Sequence, residues 1–268
     1  MSDRYAVVGN PVAHSKSPEI HALFARQTGQ DVEYSRLLAP LDGFVATVRD
    51  FIQNGGRGLN VTVPFKFEAF ALSNMLTERA KMAGAVNTLR FDGNTVSGDN
   101  TDGAGLVADI TRNTGVSLEG ARILLLGAGG AAYGVMLPLL EQKPQRLHIA
   151  NRSEDKAHDM ALRFGTYGAI TVSSYDNLDE QFDVVINATS AGLQNGMPPV
   201  SSKVFHEHTL ALDMVYADRP TPFMDYASRY GATVRDGFGM LVEQAAESFF
   251  VWRDVRPDTR PVFAYFGR

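Results

Sequence analysis

Lys66 and Asp102 are the charged members of a set of polar residues that is otherwise neutral: Ser15, Ser17, Asn60, Thr62 and Asn87. Lys66 follows Pro64 closely, and Asp102 lies in the loop Gly98-Asp-Asn-Thr-Asp102-Gly103. Hydroxyl and amide side chains of this kind suit a small polyhydroxylated ligand, because a hydroxyl-rich molecule satisfies buried donors and acceptors that a lesser analogue leaves unpaired. A second chemistry is written further along. The run Arg122-Ile-Leu-Leu-Leu-Gly127-Ala128-Gly129-Gly130-Ala131-Ala132 reads as a buried strand, a glycine-rich turn and a helix start, and it satisfies G-x-G-x-x-A. Gly127 permits the tight turn, Gly129 lets the backbone approach a pyrophosphate, and Ala132 lets the helix pack close to the strand. The helix N-terminus faces the anion, so Gly127, Ala128, Gly129, Gly130 and Ala131 are predicted to meet a dinucleotide.

The choice of dinucleotide is made at the end of the next strand, where NAD-binding sequences usually place an acid for the ribose 2′-hydroxyl. This chain reads Ile149-Ala150-Asn151-Arg152-Ser153 there, with no acid at the strand end. Arg152 presents two N–H donors suited to a 2′-phosphate, Asn151 and Ser153 add neutral hydrogen bonds, and Lys156 adds a second positive charge. NADP is the predicted cofactor, although Glu154 and Asp155 dilute the charge of this turn.

These residues need elements to hold them. Tyr5–Gly9 and Val32–Leu38 read as strands, followed by helices from about Pro18 to Gln27 and from about Asp42 to Gln53, which are α/β units. A third strand, Gly58–Val63, ends at Pro64, and a helix over Phe65–Leu72 puts Lys66 in its first turn. Helical Glu78–Ala83 precedes a strand over Ala85–Phe91, a turn at Asp92-Gly93-Asn94 and a short strand over Thr95–Ser97. From Ala104 strand and helix alternate regularly. Strands at Arg122–Leu126, Arg146–Ala150, Ala169–Val172, Asp183–Asn187, Leu210–Val215 and Ala232–Val234 fit one doubly wound parallel sheet. Pro138 predicts a kink or early stop in the helix after the glycine turn. Met240–Val251 reads as a final helix, apolar on most faces. The fold class is therefore α/β, with an N-terminal substrate domain and a doubly wound, Rossmann-type nucleotide domain.

Composition excludes several other classes. The chain of 268 residues carries Lys+Arg 25 against Asp+Glu 30, a net charge of −5, and so has no basic footprint for nucleic acid. Cysteine is absent, which removes disulfides, thiolate nucleophiles and cysteine-based metal sites and suits a reducing cytoplasm. Apolar runs are cut by Gly, Pro or charge well short of the ~18 residues that a membrane span requires. No export signal is read at the N-terminus, and the expected location is cytoplasmic. His206-Glu-His208 lacks matching ligands, so no metal site is read there. An edge strand of the N-terminal half would be the place for a homodimer to pair.

Several segments together resemble the shikimate dehydrogenase family. Gly9-Asn-Pro-Val-Ala-His-Ser15-Lys-Ser17-Pro-Glu-Ile-His21 is similar to that family's opening motif, and Asn60-Val-Thr62-Val-Pro64-Phe-Lys66 to its catalytic-lysine motif. Gly84-Ala-Val-Asn87-Thr resembles the segment with its substrate-binding asparagine, and Gly98-Asp-Asn-Thr-Asp102-Gly103 the loop with its catalytic aspartate. Asn187-Ala-Thr-Ser190-Ala-Gly192, Asp213-Met-Val-Tyr216 and Asp236-Gly237-Phe-Gly239-Met240-Leu-Val-Glu-Gln244 also match, in the family's order.

The resemblance implies reversible, NADPH-dependent reduction of 3-dehydroshikimate to shikimate, in the pathway of aromatic amino-acid biosynthesis. It implies that Lys66 and Asp102 are catalytic, Lys66 being general acid in reduction and general base in reverse. Ser15 and Ser17 would hold the shikimate carboxylate, with Asn60, Thr62, Asn87, Tyr216 and Gln244 completing the substrate shell. Thr189, Met214 and Gly237 would line the nicotinamide side, and Glu78 would also reach the cofactor. The family returns its last helix to the N-terminal domain. The implied domains are thus 1–102 completed by 240–268 for substrate and 103–239 for NADP, with the active site in the cleft between them. Tyr133 departs from the pattern, since the family often has arginine there. Two rivals remain distinct: a quinate/shikimate dehydrogenase using NAD, against which the missing strand-end acid argues, and a catalytically silent sensor, which would need neither Lys66 nor Asp102.

Overall fold

Nearly unbroken apolar strands such as Arg122–Leu126 and Val184–Asn187 build one all-parallel sheet, and strands of more mixed pattern build a second, mixed one. In the computed structural model, which describes residues 2–194 and 196–268, the chain divides into two compact units, Met1–Gly105 with Val242–Arg268, and Leu106–Leu241. The first unit opens with β1 (Asp3–Gly9), α1 (Ser17–Thr28), β2 (Val32–Leu38), α2 (Phe44–Gln53), β3 (Gly56–Val61) and α3 (Lys66–Leu72). There follow β4 (Met75–Leu76), α4 (Glu78–Ala83), β5 (Thr88–Asp92), β6 (Thr95–Asp99) and α5 (Asp102–Ala108), which passes into the second unit at Leu106 and continues as a π-helical turn over Asp109–Asn113. Its sheet has the order β2-β1-β3-β5-β6-β4. The β5–β6 hairpin is antiparallel and turns through Gly93 at φ 55°. Phe44, Val48, Phe51, Leu59, Phe65 and Leu89 fill the core beside it.

The second unit contains β7 (Arg122–Leu126), α6 (Gly130–Glu141), β8 (Arg146–Ala150), α7 (Glu154–Phe164), β9 (Ile170–Ser173) and β10 (Val184–Asn187). It continues with β11 (Leu210–Asp213), α8 (Pro222–Arg229) and β12 (Thr233–Arg235). The six strands are all parallel, in the order β12-β11-β10-β7-β8-β9. β7 lies between β8 and β10, so the winding reverses at the end of β7, where open α/β sheets bind ligands. The register pairs Leu126 with Ala150 and Asn187, and Asn187 with Asp213, which brings the loops that follow four strands to one edge. Two more helices, α9 (Phe238–Arg253) and α10 (Arg260–Tyr265), end the chain. Among the described residues no helix is long and apolar enough to cross a membrane.

Some local expectations shift. α6 continues through Pro138 to Glu141, and its residues Val135–Leu140 are all buried, so packing on a nearly all-apolar surface outweighs the lost backbone bond. β5 begins at Thr88, leaving Asn87 just ahead of the strand rather than within it. Asp102 is the first residue of α5, not a loop residue. β4, only two residues long, has no periodicity that sequence could show.

Candidate functional site

The chain delivers Lys66 to its position through Phe65, which is fully buried and stacks on Phe44 with ring centroids 5.0 Å apart. The Lys66 carbonyl then accepts the backbone N–H of Val86 at 3.0 Å, tying the start of α3 to the segment that carries Asn87. Asn87 is held in turn by its backbone, which accepts from Val61 at 2.7 Å and donates to Asp99 at 3.0 Å. Lys66 Nζ donates to Asp102 Oδ2 at 2.5 Å, and Asn87 Nδ2 donates to Asp102 Oδ1 at 2.8 Å. The Lys66 side chain is 30% exposed and that of Asp102 13%, so the pair borders solvent while the carboxylate sits mostly inside.

Behind this pair lies a buried polar network. Asn87 Nδ2 also donates to Thr101 Oγ1 at 3.0 Å and to Gln244 Oε1 at 3.4 Å, and its Oδ1 accepts the backbone N–H of Thr101 at 2.8 Å. The hydroxyls of Thr88 and Ser248 are 2.8 Å apart, and Asn60 Nδ2 donates to Ser248 Oγ at 2.9 Å. Asn60 Oδ1 accepts the Tyr34 hydroxyl at 2.8 Å. Each polar group here has a partner, which in a low-dielectric interior fixes side-chain orientation. Gly105 lets α9 come this close: a Cβ there would lie 2.6 Å from the Gln244 backbone nitrogen. Thr62, half-buried, follows the end of β3. Ser15 and Ser17 meet each other, Oγ to Oγ, at 3.1 Å. Arg36 secures that turn by donating from Nε to the Ser15 carbonyl at 3.1 Å and pairing with Glu19 at 2.9 Å.

In the second unit the glycine turn is built from backbone. Gly127 is at φ 104°, a region that only glycine enters without strain, and Gly129 is the N-cap of α6. Gly129, Gly130 and Ala131 are exposed, and a Cβ added at Gly129 would meet nothing within 4 Å. Open space in front of free helix N–H groups is what an approaching pyrophosphate requires. At the end of β8, Asn151 Nδ2 donates to the Ser153 carbonyl at 2.8 Å, closing the turn on which Arg152 stands exposed. Ser153 is the N-cap of α7, and Lys156 is exposed in its first turn. Glu154, a potential rival for Arg152, instead accepts the backbone N–H of Ser174 at 2.8 Å.

Thr189 is held by Asn187, whose Oδ1 accepts its backbone N–H at 3.1 Å and its hydroxyl at 2.7 Å. Asn187 donates to Asp213 Oδ2 at 3.1 Å, as does the Thr221 hydroxyl at 2.7 Å. Burial raises the Asp213 carboxyl above its ordinary range despite these donors. Met214 is half-buried, and Gly237 is packed so tightly that a Cβ would fall 2.2 Å from the Met214 carbonyl oxygen. Tyr216 lies edge-on to Phe238 at 6.4 Å, and burial pushes its phenol upward. Tyr133, in the first turn of α6, has the Arg163 guanidinium over its ring at 5.7 Å.

The structure thus brings Lys66, Asp102, Asn87 and Gln244 into one hydrogen-bonded group and Asn60 into the adjoining network, with Thr62 and the two serines on neighbouring turns of the same unit. Gly127–Ala131, Asn151–Ser153, Lys156, Thr189, Met214 and Gly237 all follow the ends of strands in the second unit. Tyr216 belongs to the second unit and Glu78, exposed at the start of α4, to the first, each in the other unit from the residues with which it was grouped. Sequence reasoning did not single out Tyr34, Arg36, Thr88, Thr101 and Ser248. Scattered hydroxyls have no spacing signal, and only their burial distinguishes them.

Three stretches of the chain match known family models. Residues 7–89 match the shikimate dehydrogenase substrate binding domain, residues 109–195 the shikimate / quinate 5-dehydrogenase family, and residues 237–262 the shikimate 5′-dehydrogenase C-terminal domain. The shikimate dehydrogenase (NADP(+)) of Herminiimonas arsenicoxydans is 63% identical over 264 residues, 98% of this chain and 97% of that one. That of Nitrosospira multiformis is 59% identical, covering 98% and 96%. Among solved structures, an Ael1 enzyme from Pseudomonas putida superposes with a TM-score of 0.95 at 45% identity, covering 98% of both chains. The shikimate 5-dehydrogenase of Thermus thermophilus, solved with NADP(H) and shikimate, gives 0.86 at 31% identity and 96% coverage of each.

Proposed function

The chain belongs to the shikimate dehydrogenase family, and from that premise we propose how its own residues carry out the NADP-dependent interconversion of 3-dehydroshikimate and shikimate. The observation that carries the reading is the Lys66–Asp102 contact at 2.5 Å, backed by Asn87 at 2.8 Å. A lysine ammonium on a carboxylate, facing partly to solvent, is a proton donor with its orientation already set.

When bound, the dinucleotide supplies the hydride that the substrate carbonyl carbon accepts, and in the other direction it takes that hydride back. Gly127–Ala131 would hold its pyrophosphate with backbone N–H groups, and Arg152, with Asn151, Ser153 and Lys156, would hold the 2′-phosphate. Thr189, Met214, Gly237 and Glu78 complete the proposed cofactor set. The open space at Gly129 and the absence of an acid at the end of β8 support NADP in this place.

Lys66 Nζ gives a proton to the carbonyl oxygen as that oxygen gains charge, and removes it from the hydroxyl in the reverse direction. Asp102 keeps the ammonium aimed and balances its charge, and its second oxygen is fixed by Asn87. Ser15 and Ser17 donate to the substrate carboxylate, while Asn60, Thr62, Asn87, Gln244 and Tyr216 satisfy its hydroxyls. In domain terms, residues 1–102 completed by 240–268 bind substrate and residues 103–239 bind NADP, a division supported by the two compact units. β2 ends the first sheet, and its exposed edge is the proposed pairing surface for a second copy.

Purified protein offered shikimate or quinate, each with NADP or NAD, tests the reading by nicotinamide absorbance. Fast reduction with shikimate and NADP is expected. Equal rates with quinate and NAD would overturn the specificity, and binding of shikimate without turnover would overturn the enzyme reading.

A further inference from the structure

Arg79 has no role in the chemistry above, yet three elements of the first unit meet on it. Its Nε and Nη2 donate to the two oxygens of Asp99 at 2.7 and 2.6 Å, and Nη1 reaches Glu247 Oε1 at 3.1 Å. Asp99 also accepts the Thr77 hydroxyl at 2.6 Å and the Asn100 backbone N–H at 2.7 Å. The remaining Glu247 oxygen is held by Arg256 at 2.8 Å. The cluster is therefore two guanidinium groups on two carboxylates, and the Asp99 side chain is 7% exposed. Burial alone would raise its carboxyl, but Arg79 and Thr77 hold it below the ordinary range.

The position of this cluster matters more than its strength. Asp99 ends β6, three residues before Asp102, and every residue between is pinned. Asn100 donates from its side chain to the Ala85 carbonyl at 3.1 Å and accepts the Asp102 N–H at 3.2 Å, and Thr101 donates its N–H to Asn87. Glu247 lies on α9 one turn beyond Gln244 and beside Ser248, so the same guanidinium also fixes the helix that carries the far wall of the polar network. Only a planar fork reaches both Asp99 oxygens and a third carboxylate atom at once; a lysine in its place makes one or two of these bonds.

We propose that Arg79 is a positioning residue for the proton-transfer pair, anchoring the Asp99–Asp102 run and α9 so that the Asp102 carboxylate stays on Lys66. The inference rests on the reading of Lys66 and Asp102 given above. A misplacement of about 1 Å at a reacting group costs on the order of a hundredfold in rate, so a loosened anchor registers in turnover.

The test is a set of three variants: Arg79→Lys, Arg79→Met, and Arg79→Met combined with Asp99→Asn. Arg79→Met strands a buried carboxylate and is expected to lower Tm, whereas the double variant removes both charges and recovers most of that loss. In the double variant kcat is expected to fall by about tenfold or more with a displaced pH profile, while the KM for NADP stays within about threefold of the parent. Arg79→Lys falls between. A double variant with the parent's kcat and pH profile overturns the inference, as does a loss confined to Tm in all three. Measuring Lys66→Ala alongside separates the two levels: if it turns over normally the pair itself was misread, and if it is silent while the Arg79 variants match the parent, only the anchoring role fails.

Discussion

The two units build their sites by opposite means. In the first, side chains do the work, and nearly every one is bonded to another: Lys66 to Asp102, Asp102 to Asn87, Asn87 to Thr101 and Gln244. In the second, the glycine turn offers backbone N–H groups with open space at Gly129, and Arg152 and Ser153 after the end of β8 are exposed. The contrast fits the proposed roles: proton transfer requires groups oriented before substrate arrives, whereas binding a large anion requires room and a dipole. Substitution in the first unit should therefore damage chemistry, and substitution in the second should damage affinity.

The largest effect expected is at Lys66. Lys66→Ala should cut kcat by a hundred- to ten-thousand-fold, roughly the value of a general acid–base group, and leave shikimate binding by calorimetry largely intact. A variant with near-normal turnover would erase the contrast between the units. Gly129→Val comes next. A Cβ there meets no protein atom within 4 Å, so Tm should fall only by the small cost of losing a glycine N-cap, while the KM for NADP rises by about tenfold or more. Gly237→Ala is the control for that claim, because its Cβ meets the Met214 carbonyl oxygen at 2.2 Å and should lower Tm as well. Equal Tm losses at both glycines would contradict the reading of open space.

Arg152→Ala should raise the KM for NADP by about ten- to a hundredfold, the range expected for charge-assisted hydrogen bonds, with little change for NAD. Equal losses for both cofactors would remove Arg152 from the 2′-phosphate. The smallest effect belongs to the interior of the first unit. His21 is fully buried between Tyr34, at 4.2 Å, and Trp252, at 5.4 Å, and burial, only partly opposed by Asn60, pushes its pKa to about 3. The unfolded chain binds that proton near pH 6.5 and the folded chain does not, so stability from this group is full above 6.5 and falls as pH drops toward 3. Denaturant titrations between about pH 6 and 4.5 should show a slope of up to ~1.4 kcal/mol per pH unit. His21→Phe should flatten that slope, and an unchanged slope would assign it to other groups.

The second unit was the more legible of the two. A parallel sheet buried on both faces leaves continuous apolar runs, and a phosphate-binding turn leaves glycines at fixed offsets, so β7, the turn and α6 could be placed from residues alone. β9 and β12 are short edge strands with half-exposed residues and correspondingly weaker patterns. The first unit gave up Lys66, Asp102, Asn60 and Asn87 as residue types, but not their partners. Thr88, Thr101 and Ser248 are ordinary hydroxyl residues until burial makes each unpaired oxygen costly.

By itself the sequence determined the α/β class, the glycine-rich turn between β7 and α6, the lack of an acid at the end of β8 and the polar residue types near Lys66, because each depends on periodicity or spacing within a short stretch. Only the tertiary structure decided that Gln244 and Ser248 close the network around Asn87 and Thr101, and that Arg79 bonds to Asp99 and Glu247 together. These contacts join residues more than a hundred positions apart in several cases. No local pattern encodes them; they exist because burying one polar group obliges another, wherever it lies in the chain, to meet it.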